Sequence, residues 1–355
     1  MSKDIYITKR NGSREILDLD KMHFVVEEAC AGLAGVSSSQ IEMNADLQFY
    51  DGMTSEEIQE ILIKSANDLI SLENPNYQYA AARLLLYGLH KKVYMKYEHD
   101  SLTTIIDRNI ERGVYDANVK EKYTDTELKK MNTWLKHDRN EEFTYAGLRQ
   151  VVDKYLCQDR SNGNIYETPQ FMYMMIAATL FANYPKETRL SYVKKYYDAT
   201  SLFKINIPTP VMAGVRTPIR QFASCVLVDV DDTLSSIFSS NSAIGYYIAQ
   251  RAGIGINSGR TRAINSKIRG GEVAHTGVIP FLKVYESTVR SCTQNGVRGG
   301  SATTHFPIWH YEIDDILVLK NNKGTEDNRV RRLDYSIQIN KLFYERLLSG
   351  EDITL

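Results

Sequence analysis

The segment QFASCVLVDVDDTLSSIFSSNSAIGYYIAQRAGIGIN (221–257) decides the fold of this chain. Its opening run, 221–230, is continuously β-rich, which predicts a strand covered on both faces. Asp232 is expected to cap a helix that begins at Thr233, and residues 254–257 are expected to form a second strand. A strand, a crossover helix and another strand predict a parallel α/β sheet.

The rest of the C-terminal part extends this pattern. Its elements are predicted as a loop over 258–275, a helix over 276–290, a glycine-rich loop over 291–301, strands near 302–306 and over 333–339, and a helix over 340–348. No closing element follows, so we expect an incomplete sheet or barrel.

The N-terminal part begins with a predicted hairpin. Residues 5–17 alternate apolar and polar side chains around Asn11-Gly12, a pair that favours a tight turn with positive φ at both residues. Three or four helices are predicted next: from Lys21 to about Leu33 after an N-cap at Asp20, near 38–49, after the capping box Thr54-x-x-Glu57, and from about Tyr77 to Tyr97. This predicts a compact unit of one hairpin and several helices.

Residues 100–200 are predicted to be mostly helical. Thr124-x-x-Glu127 forms a second capping box, and proline occupies the first helical position after Thr168. Asn162-Gly163 predicts one small hairpin in this region.

The composition excludes several classes of protein. The 355 residues carry 43 basic and 44 acidic side chains, a net charge of −1, which does not suit a protein that coats nucleic acid. No apolar run approaches the ~20 residues of a membrane span, and the start MSKDIYITKR is too polar for a secretory signal. The four cysteines show no metal-ligand spacing, so we expect a cytoplasmic protein that binds no metal itself.

Several basic segments leave two interpretations open. One group can converge on a phosphate near a helix N-terminus or form an ordinary solvated face. This group consists of Lys9, Arg10, Lys21, Lys91 and Lys92. The basic segment 259–272 and the glycine-rich loop 292–300 are likewise either ligand-binding or plain surface loops. A lone strand cysteine such as Cys225 is more often an inert small hydrophobe than a reactive thiol.

Four longer motifs carry a family resemblance. They are ITKRNGSREILDLDK (7–21), FKINIPTPVMAGVRTPIRQFASCVL (203–227), QRAGIGINSGRTRAINSKIRGGE (250–272) and SCTQNGVRGGSAT (291–303). With them, the chain resembles the N-terminal part of a class I ribonucleotide reductase large (alpha) subunit. The resemblance implies a mixed α and α/β fold: an ATP-cone over 1–95, a helical domain over 96–220, and the first half of a ten-stranded α/β barrel over 221–355.

The resemblance also implies site residues in the C-terminal part. Cys225 matches one of the two cysteines that reduce the substrate. Positions that match substrate contacts, including the loop that reports effector identity to the substrate base, are Thr209, Ser224, Gln294 and Arg298. Positions that match the specificity-effector site are Asp232, Thr233, Leu234, Arg262 and Arg269.

In the N-terminal part the resemblance implies an activity site for ATP. Its matching positions are Lys9, Arg10, Glu15, Ile16, Leu17, Asp18, Leu19, Asp20, Lys21, Ser55 and Lys91. Ser55 stands where threonine is common, and Gln59 stands where many cones that are inhibited by dATP have histidine. We therefore expect ATP binding to be retained and inhibition by dATP to be weak or absent.

The resemblance also implies several partners. They are a second chain with the C-terminal half of the subunit, a radical-generating diiron beta subunit, thioredoxin or glutaredoxin as reductant, and a second alpha subunit in a dimer, with ATP and dNTP effectors bound with Mg²⁺. Such a piece occurs as a split, phage-type subunit or as a truncation. A non-catalytic nucleotide-sensing module, and a fragment of the cobalamin-dependent class, are the alternatives.

Overall fold

The structure is a computed structural model that describes residues 5–46, 48–293 and 299–355. The chain forms two compact units, Met1–Arg220 and Gln221–Leu355. In the described part of the chain, no helix has both the length and the apolar character needed to cross a membrane.

The first unit opens with the predicted hairpin, β1 (Tyr6–Thr8) paired antiparallel with β2 (Arg14–Ile16). Its turn differs from the predicted two-residue type. The Lys9 N–H donates to the Ser13 carbonyl at 2.8 Å, and Gly12 alone among the described turn residues has a positive φ, 82°. Because the Asn11 Oδ1 accepts the Ser13 N–H, the asparagine closes the loop through its side chain rather than through its backbone.

Four helices follow: α1 (Leu19–Cys30), α2 (Ser38–Asp46), α3 (Ser55–Asp68) and α4 (Tyr77–Tyr94). The N-cap predicted at Asp20 is wrong, because the Asp18 carboxylate accepts the Lys21 N–H at 3.0 Å and starts the helix earlier. The capping box Thr54–Glu57 is confirmed. The fourth helix ends before Tyr97, since Met95 adopts a left-handed conformation and stops it.

The remainder of the first unit is helical, as predicted. Its helices are α5 (Leu102–Glu111), α6 (Asn118–Lys122), α7 (Asp125–Trp134), α8 (Tyr145–Lys154), α9 (Pro169–Phe181), α10 (Lys186–Ser201) and α11 (Thr209–Gly214), with a 3₁₀ turn over His137–Glu142. The capping box Thr124–Glu127 is confirmed. The small hairpin is β3 (Gln158–Asp159) with β4 (Asn164–Ile165), and it is also confirmed.

The second unit contains a four-stranded parallel sheet in the order β10-β9-β6-β5. Its elements are β5 (Cys225–Asp229), α12 (Leu234–Ala249), β6 (Gly253–Asn257), β7 (Lys267–Ile268), β8 (Val273–Ala274), α13 (Ile279–Ser291), β9 (Ala302–Pro307), α14 (Ile313–Leu317), β10 (Asp334–Gln338) and α15 (Lys341–Ser349). The mixed α and α/β fold is therefore confirmed.

Two predictions about the first crossover are wrong. The β5 strand is not covered on both faces: Val226 packs on the core, while Leu227 is 83% exposed on the opposite face. The helix cap is Thr233, whose hydroxyl accepts the Ser236 N–H at 3.1 Å, because Asp232 is engaged elsewhere. The hydrophobic run of β5 therefore reflects one buried face and one open face.

Candidate functional site

The hairpin of the first unit is fixed against the start of α3. Thr8 and Thr54 form a parallel bridge, and the Thr8 N–H donates to the Met53 carbonyl at 2.9 Å. The residues that follow them, Lys9 and Ser55, are therefore neighbours at a helix N-terminus, where exposed N–H groups favour an anion.

Charged side chains from the hairpin and α1 collect beside that helix start. Lys9 Nζ lies 2.6 Å from a Glu15 carboxylate oxygen, and Lys21 Nζ lies 3.1 Å from Asp18. The Asp18 carboxylate raises the pKa of Lys21, and Glu15 and Tyr97 add smaller contributions because they lie nearby. The structure thus brings Lys9, Glu15 and Lys21 together.

Tyr97 joins this group to α4. Lys91 Nζ lies 4.6 Å from the centre of the Tyr97 ring, in a cation–π contact. Tyr97 is not among the predicted site residues, because the sequence predicts it as the last residue of a longer α4, and no local pattern indicates that a ring beyond a helix end contacts a lysine.

The predicted positions between β2 and α1 line the same region. Ile16 and Leu19 expose 51% and 57% of their surfaces, which places apolar side chains beside the charged ones. The other predicted positions in this connection are Leu17 and Asp20. Charged groups next to an exposed apolar surface suit a ligand with both a phosphate and a flat ring.

Arg10 lines a cavity of the first unit of about 190 Å³, together with Gln59, Gly88 and Lys92. The Gln59 amide donates to the Leu84 carbonyl at 2.8 Å and packs against Gly88. Position 59 is therefore occupied by a neutral side chain already bonded to α4.

In the second unit, one face of the sheet is open and carries Cys225. This cysteine is the first residue of β5 and is exposed. Leu227 lies beside it over Gly255 of β6, where a Cβ would meet the Leu227 side chain at 2.5 Å and His305 at 3.2 Å. The Ser224 carbonyl accepts the Gly253 N–H at 2.9 Å, which extends the pairing of β5 by one residue. Thr209 belongs to the first unit, where its hydroxyl lies 3.4 Å from the Tyr155 hydroxyl.

The carboxyl ends of β5 and β6 carry a paired set of charges. Asp232 accepts hydrogen bonds from the Arg262 N–H at 2.9 Å and from Arg262 Nε at 2.7 Å. Arg260 pairs with Asp229 at 3.0 Å and with Asp231 at 2.9 Å. The carboxyl ends of parallel strands are the usual edge for ligands in α/β sheets.

The remaining predicted effector residues lie around this edge. Thr233 and Leu234 start α12, and Leu234 is 63% exposed. Arg269 has a φ of 51° at the tip of the β7–β8 hairpin, and among the described residues none pairs with its side chain. Gln294 and Arg298 lie outside the described residues. Over the described ranges, no group of three or more histidine, cysteine or carboxylate side chains is arranged to hold a metal ion.

Comparison with known proteins matches three regions of the chain to domain models. Residues 5–92, the region of the first hairpin and the helices that follow it, match the ATP cone domain model. Residues 141–220 match the all-alpha domain of ribonucleotide reductase, and residues 223–355 match its barrel domain. The chain therefore carries ATP-cone, all-alpha and barrel segments of the ribonucleotide reductase type, which confirms the resemblance of the four motifs.

Two curated relatives that match nearly the whole chain are named as alpha subunits of ribonucleoside-diphosphate reductases. Over 355 residues the chain is 54% identical to the ribonucleoside-diphosphate reductase 1 subunit alpha of Escherichia coli, covering 100% of this chain and 47% of that protein. It is 46% identical over 351 residues to the corresponding subunit of Enterobacteria phage T4, covering 99% of this chain and 46% of that protein. The chain thus spans about half the length of the curated relatives it matches.

A structural comparison gives a weaker match. The alpha subunit of an Actinobacillus ureae class Id ribonucleotide reductase has a TM-score of 0.45 and 15% identity, over 61% of this chain and 36% of that chain.

Proposed function

We propose that this chain is the N-terminal portion of a ribonucleoside-diphosphate reductase alpha subunit. It would take part in the radical-based reduction of ribonucleoside diphosphates to deoxyribonucleoside diphosphates for DNA synthesis in the cytoplasm. ATP would bind at the hairpin and helix starts of the first unit. A deoxynucleoside triphosphate would bind at Asp232, Thr233, Leu234, Arg262 and Arg269, and the substrate would contact Thr209, Ser224, Gln294 and Arg298.

The observation that carries this proposal is the exposed position of Cys225 on the open face of the sheet. Replacing a 2′-hydroxyl by hydrogen, with release of water, requires two electrons and two protons, and a dithiol supplies these when it becomes a disulfide. A thiol at the start of a strand is held in a fixed orientation while it remains accessible. Both properties suit Cys225 as one member of that dithiol.

The second thiol is expected from another chain. In the second unit, the Cys292 sulfur packs against Gly245 of α12, within the helical layer rather than on the open face. β5 and β10 are both edge strands of the sheet. The last helix, α15, exposes 52% of Leu342 and 88% of Leu348. We propose that a chain with the C-terminal half of the subunit covers these surfaces, since exposed apolar faces and unpaired edges favour association.

The further partners we propose are a diiron beta subunit that supplies the radical, thioredoxin or glutaredoxin as reductant, and a second alpha subunit. Mg²⁺ would accompany the bound nucleotides.

Reduction of CDP driven by dithiothreitol tests the proposal. The 355-residue chain should show no turnover with the beta subunit alone, and turnover should appear when the chain with the remaining barrel is added. Cys225→Ser should abolish that restored turnover. Cys30→Ser is the matched control: Cys30 lies on α1, burial raises its pKa to about 11, and its loss should leave turnover unchanged.

Turnover by this chain with the beta subunit alone would contradict the proposal. So would full turnover of the Cys225→Ser variant in the complete assembly.

A further inference from the structure

The loop between β6 and α13, residues 258–278, is held by two buried side chains from outside it. His310 and Glu312 lie between β9 and α14 and are 7% and 5% exposed. Neither belongs to the predicted sites. Buried polar side chains of this kind need hydrogen-bond partners, and here the partners are backbone groups of the loop.

The Glu312 carboxylate joins the two ends of the β7–β8 hairpin. Its Oε2 accepts the Ile264 N–H at 2.9 Å and the Val278 N–H at 3.0 Å. Ile264 precedes β7 and Val278 follows β8, so one carboxylate group holds both stems. Gly277 has a φ of +86°, and a Cβ there would lie 2.6 Å from Glu312 Oε1. Glycine is therefore required for the carboxylate to reach the second stem.

His310 fixes the same loop nearer its start. Its Nε2 lies 2.9 Å from the Thr261 carbonyl, and its Nδ1 lies 3.1 Å from the Glu312 N–H. A proton on Nε2 satisfies both contacts, since Nε2 then donates and Nδ1 accepts. Thr261 directly precedes Arg262, so His310 sets the backbone from which that arginine extends.

Between these anchors the loop carries both arginines of the proposed effector site. The Arg262 side chain is held by Asp232, whereas Arg269 lies at the hairpin tip, and none of the residues that the structure describes binds its side chain. Because both stems of the hairpin are already held before a ligand binds, binding costs less conformational entropy of the loop.

We propose that Glu312 and His310 are positioning residues that hold the 258–278 loop in the shape that presents Arg262 and Arg269 to the phosphates of a deoxynucleoside triphosphate. The inference rests on the proposed function, since it concerns the same effector site. It adds two residues that act through the loop rather than on the ligand.

The test uses the 355-residue chain and the Glu312→Gln variant, with dTTP as the probe. Glutamine keeps the shape, but it loses the charge and places an NH2 group at the Oε1 position, 3.4 Å from the Val278 nitrogen, so two donors face each other. The dTTP dissociation constant from calorimetry should therefore rise about tenfold. Amide hydrogen exchange at Ile264 and Val278 should become about tenfold faster, while exchange in β6 and β9 stays the same. A general loss of structure would accelerate both sets of amides.

Glu286→Gln is the matched control. Glu286 also accepts a backbone N–H, from Arg332 at 2.7 Å, but it lies on α13 and its hydrogen-bond partner is outside the 258–278 loop. This variant should keep the wild-type dTTP affinity and exchange rates. If Glu312→Gln does not fold, Gly277→Ala is the second variant. Its added Cβ would collide with the Glu312 carboxylate and push it away from the loop, so dTTP affinity should again fall and exchange at Ile264 and Val278 should again become faster.

Unchanged dTTP affinity and unchanged exchange at Ile264 and Val278 in a folded Glu312→Gln variant would overturn the inference. Equal dTTP affinities in the wild-type chain and in Arg269→Ala would instead contradict the effector site of the proposed function. The exchange rates at Ile264 and Val278 would then still decide whether Glu312 holds the loop.

Discussion

Two side chains of α3, Ser55 and Gln59, bear on the charge and packing of the ATP site proposed for the first unit. Gln59 is neutral, and its amide is already bonded to the Leu84 carbonyl, so it cannot add a positive charge beside a bound phosphate. Ser55 lacks the methyl group that a threonine would pack beneath the ligand. Both substitutions leave the lysines of the hairpin and α4 in place.

We therefore predict ATP binding with weak or absent inhibition by dATP. The measurement is CDP reduction by the complete assembly over a dATP titration, with Gln59→His as the matched variant that restores a titratable ring. Full inhibition of the wild-type assembly at micromolar dATP would contradict the prediction.

A second residue-scale feature is the buried ion pair of Arg216 and Glu167. Both side chains are completely buried, with Arg216 Nε 2.8 Å from a Glu167 oxygen. The Tyr115 hydroxyl and the Cys157 N–H also donate to this carboxylate. Burial, reinforced by the Glu167 charge, raises the pKa of Tyr115 well above its usual value, so the phenol remains a donor.

Arg216→Met should lower the free energy of unfolding by about 3–5 kcal/mol, because the Glu167 charge stays buried without its cation. Urea denaturation measures the loss. Adding Glu167→Gln should recover part of it, since the uncompensated charge is then removed. A double variant as unstable as the sum of the two single variants would contradict this account.

At the scale of elements, local sequence signals fix helix starts wherever the capping residue has no competing partner. Thr124 caps α7, and Glu127 closes the box through the Thr124 N–H at 2.8 Å. Glu127 also binds Arg189, which packs over the Tyr123 ring at 4.4 Å. The cap therefore connects the start of α7 to α10.

Thr124→Ala should destabilise the chain by about 1 kcal/mol, the usual cost of a lost N-cap, and Thr124→Ser should recover most of it. Urea midpoints measure the difference. Thr133→Ala, at an exposed position of the same helix, is the control and should change stability little. Equal losses at the two positions would mean that the cap has no special role.

The start of α12 shows where local sequence signals fail to predict the residue that caps a helix. Asp232 has the residue type and position of a helix cap, but its carboxylate binds Arg262, which lies 30 residues further along the chain. The neighbouring Thr233 takes the cap instead. A pattern of neighbouring residues cannot predict a contact with a residue that comes close only when the chain folds.

At the scale of the whole first unit, three histidines from separate segments pack together. The His99 and His137 rings stack with centroids 3.6 Å apart, and His90 lies 4.7 Å from His99. Over the described residues, one buried nitrogen of each ring lacks a hydrogen-bond partner. Burial, with repulsion from the neighbouring rings, lowers the pKa of His90 to about 4 and of His137 to about 3. Burial also lowers the pKa of His99, although Asp100 opposes it.

These shifts predict that acid destabilises the chain. Histidines have a pKa near 6.5 in the unfolded state, so the unfolded chain binds more protons than the folded chain below that pH. Stability should be fully present above about pH 6.5 and should fall by up to about 2 kcal/mol for each of His90 and His137 at pH 5. Urea midpoints at pH 7 and pH 5 measure this loss.

His137→Phe keeps the aromatic stack and should reduce the acid-side loss. His23→Gln is the control: Glu42 raises the pKa of the exposed His23, so its contribution has the opposite sign and its removal should leave the acid-side loss in place. A stability that is the same at pH 7 and pH 5 would contradict the role of the cluster.

The sequence by itself determined the parts that depend on neighbouring residues. The Asn11-Gly12 hairpin, both capping boxes, the helical character of 100–200 and the alternation of strands and helices after 221 follow from local hydrogen bonding and hydrophobic periodicity. The motifs also identified the family, because they carry the residue order of its sites.

The tertiary structure alone decided which distant residues meet. It places Lys91 over the Tyr97 ring, bonds Asp232 to Arg262, exposes one face of β5, gathers His90, His99 and His137, and holds the 258–278 loop with Glu312. Apart from the exposed face of β5, each of these features is a contact between residues that do not belong to the same helix or strand. The physical reason is that long-range contacts depend on how complete elements pack, and no periodicity within one segment contains that information.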